Sequence, residues 1–241
     1  LMASGSVEAG SGPAERWWQT VAVLADDSLA GRMTGSPGYD RAADHVAREF
    51  RRIGLKPAGT QGYFQPVDFV EQRFATGASQ AALAGGGAAA SLAIPRDLYF
   101  RGAHPMPAAV DAPMVFAGYG LSIPELGHDD FAGLDLRGKV VLVISGGPQD
   151  IPGSRKANAR SERARLLVER GAVGLSALTS PRQVEIPWER QLALAARPSM
   201  YLADAALREV EGPFMSASFS PDSAGRLFAG ERLRRGVRRA G

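Results

Sequence analysis

The sequence predicts a mixed α/β fold: a helical N-terminal segment followed by a β-rich domain that holds a β-α-β unit. Three observations point there. Residues 37–53 carry Tyr39, Ala42, Ala43, Val46, Phe50 and Ile53 at three- and four-residue steps, the apolar stripe of an amphipathic helix. Residues 139–145 (KVVLVIS) and 172–178 (AVGLSAL) are continuous apolar runs, the pattern of strands buried on both faces. Between them, residues 161–170 have helical spacing, so the two strands form a parallel pair joined by a right-handed crossover.

The elements follow in order. Residues 14–24 read as a first helix with Trp17, Trp18, Val21 and Leu24 on one side, although two adjacent Trp cannot both face one core. The second helix has Ser36 as its cap, Pro37 in its first turn and Gly54 as its left-handed stop, with Pro57 beyond. Arg41, Asp44, Arg48, Glu49, Arg51 and Arg52 cover its polar side. Residues 63–70 (YFQPVDFV) alternate like a strand, and the Ala- and Gly-rich residues 75–93 read as a weakly specified hairpin or loop. Residues 112–118 form a short apolar strand. In the crossover helix Ala164, Leu167 and Val168 are expected inward, with Gly171 as the stop. A strand at 199–203, a short helix at 204–210 and a capped helix after Ser220 complete the reading.

Composition excludes several classes. Among 241 residues, 45% are hydrophobic and 22% charged, so the chain has the makings of a packed core. There is no Cys, which removes disulfides and thiolate metal sites. No apolar run reaches the length of a membrane span. The start, LMASGSVEAGSGPAE, has neither a basic n-region nor an apolar h-region, so no signal peptide is read there. The pI of about 9.5 does not indicate nucleic acid. Residues 226–241 hold six Arg and one Glu, a net of +5 against +3 for the whole chain, so the rest is slightly acidic. That basic stretch carries no aromatics spaced for bases. With 25 Arg against three Lys, a frameshifted or truncated end and a genuine basic tail are both open readings of it.

Two sets of words carry a family resemblance. DDSLAGRMTGSPGYDRAADHVAREFRRIGLKPAG, residues 26–59, resembles the opening of the catalytic domain in bacterial aminopeptidases that use two zinc ions. These are relatives of the glutamate carboxypeptidase and transferrin-receptor group. APMVFAGYGLSIPELGHDDFAGLDLRGKVVLVISGGP, then RLLVERGAVGLSAL, then IPW, resemble the protease-associated domain that the same enzymes carry as an insert. The resemblance implies a flexible N-terminus at 1–12, a helical piece of a zinc-exopeptidase domain at 13–66, a protease-associated domain at 67–218, and a short helix with a basic tail at 219–241. It implies metal-assisted hydrolysis of N-terminal peptide bonds, two zinc ions, a peptide or protein substrate, and a secreted or periplasmic location for a full-length relative.

Those enzymes take their zinc ligands from chain beyond the insert, and no residue here matches them, so no catalytic, cofactor or metal residue is assigned. The three His were weighed separately. His45 and Glu49, one helical turn apart, could clip a metal, but a solvated helix face is the stronger reading. His104 stands alone in a Pro-rich loop. His128, Asp129 and Asp130 are adjacent; His128 and Asp130 could converge in a loop, while Asp129 or Asp130 as a turn or cap residue is preferred. Asp26, Asp27 and Arg32 could form a network, or Asp27-Ser28 could be turn chemistry. Gly174-Leu-Ser-Ala-Leu lacks the second Gly of a nucleophile elbow, and Ser145-Gly-Gly-Pro148 lacks the Lys of a phosphate loop. Two functions result. One is an N-terminal portion of a zinc aminopeptidase without its metal site; the alternative is a non-catalytic protease-associated module that binds a partner. The first leaves the stripes of both N-terminal helices exposed, and the second buries them.

Overall fold

A computed structural model describes residues 12–84, 89–100, 102–180 and 186–228. The expected flexible N-terminus and the arginine-rich tail beyond Phe228 lie outside these residues. The fold is mixed α/β, and the chain divides into two compact units, Leu1–Val67 and Asp68–Gly241.

The first unit is built from two helices, α1 (Pro13–Leu24) and α2 (Pro37–Arg52), joined through a tight turn at Asp27–Arg32. Each end of α2 is closed locally. The Ser36 hydroxyl accepts the Tyr39 N–H at 3.2 Å. At the other end Gly54, with φ +81°, lets the Leu55 N–H reach the Phe50 carbonyl at 3.0 Å and its own N–H reach that of Arg51 at 3.1 Å. The turn packs on the start of α2: Leu29 is buried, and the Arg41 guanidinium donates to the Ser28 carbonyl. Gly38 is required there, because a Cβ would stand 1.8 Å from the Leu29 carbonyl oxygen.

Burial in this unit is incomplete. Of the expected stripe only Ala42 is buried, joined by Ala47 from outside it, while Phe50 and Ile53 are 40% and 58% exposed. Helix α1 buries no residue, and Trp17 and Trp18 are 66% and 60% exposed. The strand expected at residues 63–70 does not form as a whole. Residues 59–64 make a bridged turn in which the Tyr63 hydroxyl donates to the Leu55 carbonyl at 2.7 Å. Pro66 interrupts any ladder by removing an N–H, and pairing begins only at Phe69.

The second unit runs β1 (Phe69–Gln72), β2 (Ala81–Leu83), β3 (Ala90–Leu92), β4 (Leu98–Phe100), β5 (Met114–Phe116), β6 (Ser122–Ile123), β7 (His128–Asp129), β8 (Val140–Ile144), α3 (Gly153–Ser161), α4 (Arg163–Glu169), β9 (Gly174–Leu178), α5 (Trp188–Ala195), β10 (Ser199–Leu202), β11 (Met215–Phe219) and α6 (Ala224–Leu227). Its main sheet has the order β4-β11-β9-β8-β5, parallel throughout except for β4. Strands β2 and β3 form a hairpin, and β1 pairs with β10.

The sheet is buried on both faces, as the continuous apolar runs predict. Val141 and Val143 of β8 join Ala117, Phe131, Leu136, Leu167 and Phe214 on one face. Leu142 points the other way, into Leu92, Leu98, Leu178, Ala217 and Phe219. The crossover is longer than its sequence pattern suggests, since α3 precedes the expected helix. Within α4 the inward set is also different: Leu167 is fully buried, Val168 is 38% exposed, and Arg163 is buried instead. Gly171 ends α4 with the same paired closure as Gly54, from Gly171 to Val168 and from Ala172 to Leu167, both at 2.9 Å. The helix expected at 204–210 is only a three-residue turn, Ala205–Leu207, opened by Asp204 accepting the Ala206 N–H. Val210 instead fills the core.

One polar group is buried deep in this unit and ties distant segments together. Asp97 is 7% exposed; its carboxylate accepts the Ala93 N–H at 2.9 Å and pairs with Arg96 at 3.1 Å and Arg226 at 2.6 Å. Its carbonyl accepts the Ser220 N–H at 2.9 Å and the Ser223 hydroxyl at 2.8 Å. The hydrogen bond from Arg96 is the main cause holding the Asp97 carboxyl down at about 2.

Two predictions follow from this packing. Because the folded value lies below the ordinary 3.8, Asp97 stabilises the fold above about pH 4, and this contribution is lost as pH falls toward 2. On the order of 1–2 kcal/mol should disappear across that window in urea titrations, and Asp97→Asn should flatten that part of the profile. The Ser176 hydroxyl is buried in the sheet without a hydrogen-bond partner. Ser176→Ala should therefore be neutral or raise stability by about 1 kcal/mol in the same titration.

Candidate functional site

The densest cluster of ionisable side chains surrounds the turn that follows β5. Strands β6 and β7 pair Ser122 with Asp129 and Ile123 with His128, through a tight connection ended by Gly127 at φ +64°. This hairpin brings Asp130 under the Gly118–Leu121 backbone. One Asp130 oxygen accepts both the Tyr119 N–H at 3.1 Å and the Leu121 N–H at 3.0 Å. Its other oxygen lies 3.2 Å from His128 Nε2, which is buried and lacks the alignment of a hydrogen bond. Asp129 turns to its own chain and accepts the Phe131 N–H at 3.1 Å, with Arg170 at 3.4 Å from its second oxygen.

Arg163 closes the cluster from α4. It is 8% exposed, and its Nε donates to the Gly120 carbonyl at 2.9 Å. Burial lowers its guanidinium to about 10, the Arg160 charge adds to this, and Asp130 opposes it. It is therefore cationic at neutral pH. Sequence spacing brings His128 and Asp130 together correctly, and the preferred turn-and-cap reading of Asp129 and Asp130 describes their bonds. The arrangement fixes the backbone of a turn, since its carboxylates are already engaged by N–H groups and cations. It offers no paired carboxylates facing an open space and no nucleophile beside a base.

The other sequence candidates are separate from it. His45 Nε2 is buried without a hydrogen-bond partner, while Glu49 pairs with Arg52 at 2.8 Å, so the helical clip is not formed. His104 packs edge-on against Phe214 with ring centroids 6.3 Å apart; burial lowers its pKa, and Glu209 opposes that. Asp26 accepts the Ser28 N–H at 2.9 Å, and hydrogen bonding from the Ser28 side chain first, then from that N–H, holds its carboxyl below the ordinary value. Of the two readings of this segment, turn chemistry is the one formed, with Asp26 in place of Asp27. The loop after β8 has the wrong polarity for phosphate. Lys156 donates to the Pro148 carbonyl at 2.8 Å and Arg160 to that of Gly146 at 3.3 Å, so carbonyls face the cations. Among the described residues no group of three or more His, Asp or Glu is placed to hold a metal ion.

Two buried charges were not singled out from the sequence, Arg163 and Asp97. For Asp97 a signal exists, because Ser220, Ser223 and Arg226 recur at three-residue steps and present donors on one face. For Arg163 none does, as an Arg within an Arg-rich helix reads as solvated.

Comparison with known proteins adds little. No family model matches the chain, and no curated protein does. Among solved structures, the fold is similar to the aminopeptidase from Aneurinibacillus sp. strain AM-1, with 18% identity and a TM-score of 0.36 over 90% of this chain. The chain spans 42% of the length of that protein.

Removing the Asp130 carboxylate leaves the Tyr119 and Leu121 N–H groups without their acceptor. Asp130→Ala should cost about 2–3 kcal/mol in urea unfolding, and His128→Ala, which makes no aligned bond, less than about 1. Equal losses would show that the imidazole shares in holding the turn.

Proposed function

We propose that this chain is the N-terminal part of a zinc-dependent aminopeptidase, comprising the start of its catalytic domain and its protease-associated domain. The observation that carries this reading is in the first unit. Helix α2 is finished at both ends by its own capping groups, yet Phe50 and Ile53 of its apolar stripe are exposed, as are Trp17 and Trp18 of α1. Large apolar side chains left exposed on helices this well closed support a reading in which they pack on further protein. The words of residues 26–59 resemble the opening of such a catalytic domain, and those of residues 112–188 follow in the order that the resemblance implies.

Zinc would supply Lewis-acid activation of water and of the scissile carbonyl in such an enzyme. The described residues contain no group of three or more ligating side chains placed for it, so on this reading the zinc ligands are not among them. By the same reading the full enzyme cleaves N-terminal peptide bonds of peptides or proteins and is secreted or periplasmic. Among the described residues no helix is long and apolar enough to cross a membrane.

A non-catalytic binding module is the second reading. It is favoured by one observation, that the main sheet of the second unit carries a hydrophobic core on each face.

The purified chain should release no amino acid from aminoacyl-nitroanilides, with or without added zinc. Release that EDTA abolishes would overturn the placement of the metal site. Translating the encoding DNA past the last codon, in every frame, should yield the missing His, Asp and Glu ligands. A downstream sequence without them would favour the binding module.

A further inference from the structure

The segment after β11 doubles back over the apolar face formed by Leu92, Leu98, Leu142, Leu178 and Phe219. It consists of a turn at Pro221–Ser223 and the single turn of α6. Ala224, Leu227 and Phe228 pack on that face, half-buried, and the Phe228 ring meets Phe116 of β5 edge-on at 5.6 Å. Four residues of helix are far too few to hold together unaided. The polar groups that keep the segment down converge on one residue. Asp97 receives Arg226 on its carboxylate and both the Ser220 N–H and the Ser223 hydroxyl on its carbonyl. The Ser220 and Ser223 hydroxyls are themselves 2.8 Å apart, so that Ser220 donates to Ser223 while Ser223 donates to Asp97.

We infer that Ser220–Phe228 is a strap latched by Asp97, which opens as a local unit and uncovers the Phe116 end of this face while the sheet stays folded. The groups that face the Asp97 carboxylate are Arg96 from its own loop and Arg226 from the strap. Arg96 and the Ala93 N–H remain with the loop when the strap lifts, so Asp97 keeps part of its solvation in the open form. Opening costs the strap the buried Ser220 and Ser223 and the half-buried contacts of Ala224, Leu227 and Phe228, far fewer than hold the sheet, so it opens below the limit set by the whole unit. This inference concerns residues 68–228 alone and does not depend on the enzyme reading.

Amide hydrogen exchange on the full chain tests it. In Asp97→Asn, and independently in Arg226→Gln, the amides of Ser220, Ser223 and Phe228 should exchange at least tenfold faster than in the unaltered protein. In the unaltered protein the strap amides should exchange at least tenfold faster than those of β8 and β9. Equal protection of strap and sheet there would overturn the inference, because the strap would then open only with the whole unit. Unchanged strap amides in both variants would overturn it as well, by showing that the Asp97–Arg226 pair is not the latch. Arg226→Gln carries the test alone if Asp97→Asn does not fold, since Arg226 is half exposed and the Ala93 and Arg96 bonds remain.

Discussion

Burial of β8 on both faces is the constraint from which the second unit follows. Val140–Ile144 is a five-residue strand whose alternate side chains enter two different cores. A strand of that kind cannot sit at the surface of a two-layer domain, and needs a cover above and another below. Helix α4 supplies one through Leu167, and the β2–β3 hairpin with α6 supplies the other. The parallel pairing of β8 with β9 then requires a crossover, which α3 and α4 provide. The ionisable residues occupy what is left: the turns at the strand ends, where backbone N–H and C=O groups need partners.

That demand explains why short acidic side chains gather at these turns. Asp130 satisfies two N–H groups of the Gly118–Leu121 turn, Asp129 one of the next turn, and Asp97 one at Ala93. Two cations do the reverse service, buried Arg163 on the Gly120 carbonyl and half-buried Lys156 on that of Pro148. In a fold so rich in glycine turns, short acidic side chains are the readiest acceptors for backbone N–H groups.

The first unit shows the opposite balance. Its α2 is specified almost entirely by local chemistry: Ser36 and Pro37 at one end, Gly54 at the other, and Gly38 where the backbone of Leu29 comes within contact. Such features depend on neighbours a few residues away, so they are legible in sequence. The stripe that should give the helix its tertiary role is only partly covered. Small Ala42 and Ala47 are buried while large Phe50 and Ile53 are not, so the unit is better specified than it is packed.

Strands β4 and β11 of the main sheet were not legible in the sequence. By itself the sequence determined α2 and its stop, the strands β5, β8, β9 and β10, and a turn role for Asp129 or Asp130. Each is a matter of short-range periodicity, capping or turn chemistry, which operates within a few residues. Only the tertiary structure decided that residues 63–67 remain outside the sheet, that α3 extends the crossover, and that the segment 204–210 gives Val210 to the core in place of a helix. It alone buried Arg163 and brought Asp97 to Arg226, more than a hundred residues along the chain. Charges separated that far are joined by how the sheet folds back on itself, and no local pattern records that closure.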